Sequence, residues 1–168
     1  MTNLTIRIAT TEDMDDIMRL ALLACAENGF LNPNPAKFAT EVWPALCLDN
    51  GIVGLLCAED GDIGGFVILR VGAMWYSDTQ LLEEKVIFVH PDYRVATTRS
   101  EQQRGAAAML CDFSKKVSDS LGLTLLIGVL SNSRTPAKIR LYERQFGQQA
   151  GAFFLYGART DEGLGVHN

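Results

Sequence analysis

The apolar positions change period several times along the chain. Leu4-Thr-Ile-Arg-Ile-Ala9 alternates, which predicts a strand with one buried face. Met14, Ile17, Met18, Ala21, Leu22 and Cys25 then recur at helical spacing. Thr10 or Thr11 can cap this helix, Glu12 and Asp13 complement its dipole, and Asn28-Gly29 ends it. Asn32-Pro-Asn-Pro35 reads as a loop. Its Asn34 caps a second helical stretch carrying Phe38, Val42 and Leu46, which Pro44 kinks or shortens. Residues 52–58 and 63–71 are apolar runs joined by Glu59-Asp-Gly-Asp62, where the Asp-Gly pair signals a hairpin. Residues 81–89 form a further strand. Residues 101–121 are the strongest helix, stopped by Gly122. Residues 123–130 are apolar enough for a strand buried on both faces. A helix over 134–146 and a last strand over 149–156 follow. The polar, Gly-rich residues 160–168 read as a frayed tail behind one domain, 1–159. The order β-α-α-β-β-β-α-β-α-β predicts a mixed α/β sheet with helices packed on it.

Composition narrows the class. The chain has 168 residues, 48% hydrophobic and 21% charged, which describes a folded protein with a sizeable core. A net charge of −5 speaks against a nucleic-acid partner and permits a cationic one. No basic-then-apolar leader and no apolar run of about 18 residues occurs, so no membrane association and a cytoplasmic location are expected. Cys25, Cys47, Cys57 and Cys111 lack Cys-x-x-Cys spacing and lie far from His90 and His167, so no metal site is expected.

The chemistry concentrates where residues 81–89 run into Pro91-Asp-Tyr-Arg94 and a helix then opens at Gln102-Gln-Arg-Gly-Ala-Ala107. The first turn of a helix carries unpaired N–H groups and partial positive charge. Gly105, Ala106 and Ala107 place almost no side chain in front of them, so a diphosphate could approach the backbone. Arg94, Arg99 and Arg104 could neutralise it from the flanks. Small residues here equally serve helix formation and close packing on a sheet.

This segment resembles motif A of the GNAT superfamily of acyl-CoA-dependent N-acyltransferases. Pro91-Asp-Tyr-Arg94 matches the motif's first part and Gln102-Gln-Arg-Gly105-Ala-Ala107 its second, with Leu110 at an apolar position. Val95-Ala-Thr-Thr-Arg-Ser-Glu101 intervenes where most members run on directly, and one Gly remains at the helix start. Downstream, Ser131-Asn132 and Lys138-Ile-Arg-Leu-Tyr142-Glu-Arg-Gln-Phe146-Gly resemble the family as well. The variant is similar to GNAT-like proteins of phages and prophages in Ile127-Gly-Val-Leu-Ser-Asn-Ser-Arg-Thr135.

The resemblance implies an α/β (α+β) fold: a mixed, mostly antiparallel sheet of six to seven strands flanked by about four helices. It implies an N-acetyltransferase that passes an acetyl group from acetyl-CoA to a primary amine by direct attack. The amine would belong to a small molecule or a protein. In this reading Ile87, Phe88 and Val89 offer backbone groups to the pantetheine and its thioester. Gln102, Gln103, Arg104, Gly105, Ala106 and Ala107 hold the diphosphate, and Arg94 and Asn132 belong to the cofactor site. Tyr142 is the general acid for the departing thiolate. Neighbouring strand residues face opposite ways, so one of Glu83 and Glu84 can serve as base, while both could equally be solvated charges. Trp43, Trp75 and Tyr76 could line the acceptor pocket or belong to a core or dimer face; the apolar 152–156 could pair across a homodimer. The alternative is a catalytically inactive GNAT-like CoA-binding or protein-interaction module, to which the lengthened loop and missing glycines point.

Overall fold

The computed structural model describes residues 3–94, 105–132 and 134–156. Five strands form one sheet in the order β1 (Leu4–Ile8), β2 (Gly51–Ala58), β3 (Ile63–Ala73), β4 (Gln80–Val89) and β5 (Thr124–Leu126). The first four pair antiparallel, and β5 joins β4 in parallel. Four α-helices accompany them: α1 (Met14–Asn28), α2 (Pro35–Leu46), α3 (Ala106–Leu121) and α4 (Thr135–Phe146). The mixed sheet and four helices agree with the sequence reading; the strand count of six to seven does not, because five occur among the described residues.

The missing strand is the one expected over 149–156. This segment has no regular structure, and Phe153, Phe154 and Tyr156 are 73%, 92% and 105% exposed. With neighbouring side chains all in solvent, no buried face fixes a register. The strand expected over 123–130 shortens to Thr124–Leu126 and is not buried on both faces: Thr124 and Leu126 are exposed and Leu125 is half-buried, because β5 is the edge of the sheet.

Local signals place the helices. Asn34 Oδ1 accepts from the Lys37 N–H at 3.2 Å, and Pro35 fills the first helical position, where no N–H is missed. Gly29 and Gly122, at φ +71° and +64°, supply the left-handed residues that end α1 and α3. Pro44 lies in the last turn of α2, which ends two residues later. Before α1, Asp13 accepts from the Thr10 N–H at 2.7 Å and pairs with Arg7 at 2.6 Å, tying the start of the helix to β1.

The sheet is covered on both faces, which is why β2 and β3 read as continuous apolar runs. Val53, Leu55, Phe66, Ile68 and Phe88 pack with Ile17, Leu20, Val42 and Leu46 of α1 and α2. Leu56, Val67, Leu69, Leu82, Ile87 and Val89 pack with Leu110 and Cys111 of α3 and Tyr142 of α4. Each fully buried Leu or Phe contributes about 1.5–3 kcal/mol. Among the described residues, no helix is long and apolar enough to cross a membrane.

Candidate active site

Two irregularities in β4 shape the site. The first is a bulge. Val86 pairs with Ile68 and Glu84 with Leu69, so Lys85 is left without a partner. One extra residue reverses the alternation of every residue beyond it. Leu82 and Glu84 therefore share a face with Ile87 and Val89, the face of α3 and α4. Glu83 lies on the other face, bound to Lys85 at 2.5 Å.

The second is a splay. The parallel ladder to β5 ends at Glu83↔Leu126, while β4 runs on to Val89. The His90 N–H donates to Gly64 O of β3 at 2.8 Å, so Ile87 and Val89 direct their amides to the side β5 has vacated. Two cations meet the carbonyls there. Arg94 Nε donates to Val89 O at 2.6 Å, and Lys138 Nζ reaches Ile87 O at 3.5 Å. Across the gap, the Gly128 N–H donates to Glu84 Oε2 at 3.4 Å. Lys138, Tyr142 and Phe146 recur every four residues on α4, one stripe facing the sheet.

The charges in this cleft act on one another. Burial drives the Glu84 carboxyl up to about 7, against the opposing pull of the Gly128 N–H, Lys138 and the Ile87 N–H. Burial lowers the Lys138 ammonium, while Glu84 and Glu27 hold it up. The Tyr142 hydroxyl is driven well above the ordinary phenol range by burial and then by Glu84 and Cys111. Burial, with Glu84 adding, pushes the Cys111 thiol up to about 12. A base that titrates near neutrality beside a destabilised ammonium is suited to moving protons at pH 7.

The helix that follows is open at its start. Gly105 caps α3 in an extended conformation without a side-chain hydrogen bond, and a Cβ there would meet nothing within 4 Å. Ala106 turns its methyl into the core, leaving its N–H. The turn that follows β4, Pro91–Tyr93, is anchored by Tyr93, whose ring lies against Gly64; a Cβ on Gly64 would come within 2.7 Å of it.

No protein-family model matches the chain, and no curated protein matches it. Solved structures do. The chain is similar to the aminoglycoside acetyltransferase AAC(6')-Iy in complex with a bisubstrate analogue, CoA-S-monomethyl-acetylneamine, at TM-score 0.67 and 16% identity, over 94% of this chain and 99% of that one. It is similar to the aminoglycoside 6'-N-acetyltransferase AAC(6')-Ih from Acinetobacter baumannii at TM-score 0.65 and 12% identity, over 94% and 99%. An integron cassette protein from the mobile metagenome of Cole Harbour salt marsh matches at TM-score 0.62 and 22% identity, over 91% and 89%. The chain has the GNAT fold.

Within that GNAT fold, the expected site residues separate into groups. Glu84, Ile87, Val89 and Tyr142 converge on the splay, while Phe88 turns its ring to the opposite core. Gly105, Ala106 and Ala107 stand at the α3 start; Gln102, Gln103 and Arg104 lie outside the described residues. Arg94 is engaged elsewhere: it forms a two-pronged pair with Glu27 of α1 at 2.5 and 2.6 Å, besides its bond to Val89 O. Three of its five donors are thus used in locking α1 to the end of β4. Asn132 sits beside Gly29 at the end of α1, and its carbonyl accepts from the Thr135 N–H at 3.1 Å, opening α4. Trp75 is 94% exposed and packs edge-on against Tyr76, and Trp43 is half-exposed. Sequence reasoning missed Lys138. Its signal was a lysine one turn before Tyr142 on a helix face otherwise apolar.

Proposed function

We propose that this chain is an acetyl-CoA-dependent N-acetyltransferase acting on a primary amine. The observation that carries the reading is the splay: β4 runs on without a partner strand beyond Leu126, between a neutral-range carboxylate and the α4 stripe. An open strand edge accepts an amide-bearing substrate as an added strand does. The backbone of Ile87 to Val89, whose Ile87 N–H also meets the Glu84 carboxylate, takes the pantetheine, and a backbone N–H there polarises the thioester carbonyl. The open first turn of α3, Gly105 to Ala107, takes the diphosphate, and the space in front of Gly105 fits that use. Glu84 receives the proton of the attacking amine, directly or through water. Tyr142 donates a hydrogen bond towards the sulfur; the rise in its acid constant's exponent makes full proton release costly there.

The acceptor is a small molecule bearing amines. Structures of this fold include an aminoglycoside acetyltransferase, meta-AAC0020, in complex with sisomicin. The net charge of −5 favours a cationic acceptor of that kind.

Calorimetric titration with acetyl-CoA, CoA and ATP tests the reading, followed by thiol release on a panel of primary amines. Binding of acetyl-CoA and CoA at micromolar strength, about −8 kcal/mol, without ATP binding, is expected. No CoA binding would overturn the reading. CoA binding without turnover on any amine would mark an inactive CoA-binding module instead.

A further inference from the structure

We propose that Lys138 is the proton donor to the departing thiolate. The inference rests on the acetyltransferase reading and goes beyond it. Lys138 Nζ lies 3.5 Å from Ile87 O, at the point where β4 is open and β5 has ended. It precedes Tyr142 by one turn, so both side chains project from α4 into the same splay. A thioester held along the β4 edge at Ile87 and Val89 places its sulfur beside this ammonium. The carbonyl contact at 3.5 Å is long, so turning Nζ to another acceptor gives up little.

The step balances with the residues at hand. The amine nitrogen bonds to the carbonyl carbon. The carbon–sulfur bond breaks with its electron pair on sulfur, and sulfur takes a proton from Lys138 Nζ. Glu84 takes the proton that the new amide nitrogen sheds and returns it to Lys138, closing the cycle. The groups facing Lys138 support this exchange: Glu84 of β4 and Glu27 of α1 hold its proton, and Arg94 and Arg134 loosen it. Burial, the largest influence, brings the ammonium closer to the thiol range. Tyr142, moved the opposite way, orients the sulfur and keeps its own proton.

The thiol of bound CoA reports on this without any acceptor. Its titration, followed by thiolate ultraviolet absorbance, should show an acid constant raised about tenfold or more over free CoA, as for a thiol beside a cation. Lys138→Met should remove that increase. Lys138→Arg should keep it, because the charge remains, yet lose turnover, because a guanidinium does not release its proton. Bound CoA titrating like free CoA in the wild-type protein, or identically in Lys138→Met, would overturn the proposal while leaving the acetyltransferase reading intact. Full turnover in Lys138→Arg would overturn the proton-donor role. Failure of the wild-type protein to bind CoA would overturn both.

Discussion

Replacing Glu84 with Gln should make the protein more stable and less active. The carboxyl titrates at about 7 in the folded protein against an ordinary value of 4.5. Between those values the folded state holds a proton that the unfolded state has shed, so stability falls as pH rises and the loss is complete above about 7. The displacement of about 2.5 pH units corresponds to at most about 3 kcal/mol. The carboxyl is buried although the residue as a whole keeps some exposure, and screening by the nearby solvent reduces this to about 1–2 kcal/mol. Gln keeps an oxygen to accept from the Gly128 N–H at 3.4 Å, so the substitution removes charge with little loss of contact. Thermal unfolding should therefore shift upward by about 2–8 °C near pH 8 and by almost nothing below about pH 4.5. Loss of the base should lower turnover by about 10²–10⁴-fold, and the wild-type rate should fall about tenfold per pH unit below about 7. Equal melting temperatures for the two proteins at both pH values would refute the buried-charge account. Unchanged turnover would remove Glu84 from the chemistry.

Three further outcomes test other parts of the molecule. Gly105→Glu places a carboxylate before the open start of α3 and should abolish CoA binding in calorimetry with the melting temperature kept; unchanged affinity would put the diphosphate elsewhere. Gly54→Val sets a Cβ within 2.6 Å of the Phe113 ring and should destabilise by about 1–3 kcal/mol in urea unfolding, with wild-type stability contradicting that packing. Arg7 and the Thr10 N–H hold the Asp13 carboxyl at about 2, below its ordinary 3.8, so its contribution is present above 3.8 and lost as pH falls towards about 2. Asp13→Asn should cost about 1 kcal/mol at neutral pH, with the difference vanishing in acid; a difference independent of pH would exclude the ion pair as its source.

Much of the fold was legible in residues that act locally. Asn34, Gly29, Gly122 and the Asp60-Gly61 turn behave as their neighbours in sequence dictate, because a cap or a tight turn closes over a few residues. The two-sided burial of β2 and β3 was legible too, since a run without polar alternation has no solvent face. Other features depend on which strands meet. An extra residue at Lys85 carries no distinctive composition, yet it sends Glu84 to the face of Tyr142 and leaves Glu83 with Lys85. Arg94 is spaced as a cofactor residue, but α1 brings Glu27 to it across 67 positions. Phe153-Phe154-Leu155-Tyr156 has strand composition and no strand: although Phe153 reaches Gly128, its side chains stand mostly in solvent and no buried face fixes a register. Local composition was enough for the first four strands, the four helices and the small residues at the α3 start, and not for the expected last strand. That β5 stops at Leu126, and so where β4 lacks a partner strand, was settled by the packing of the whole chain, because hydrogen bonds between strands answer to register and not to the composition of either strand.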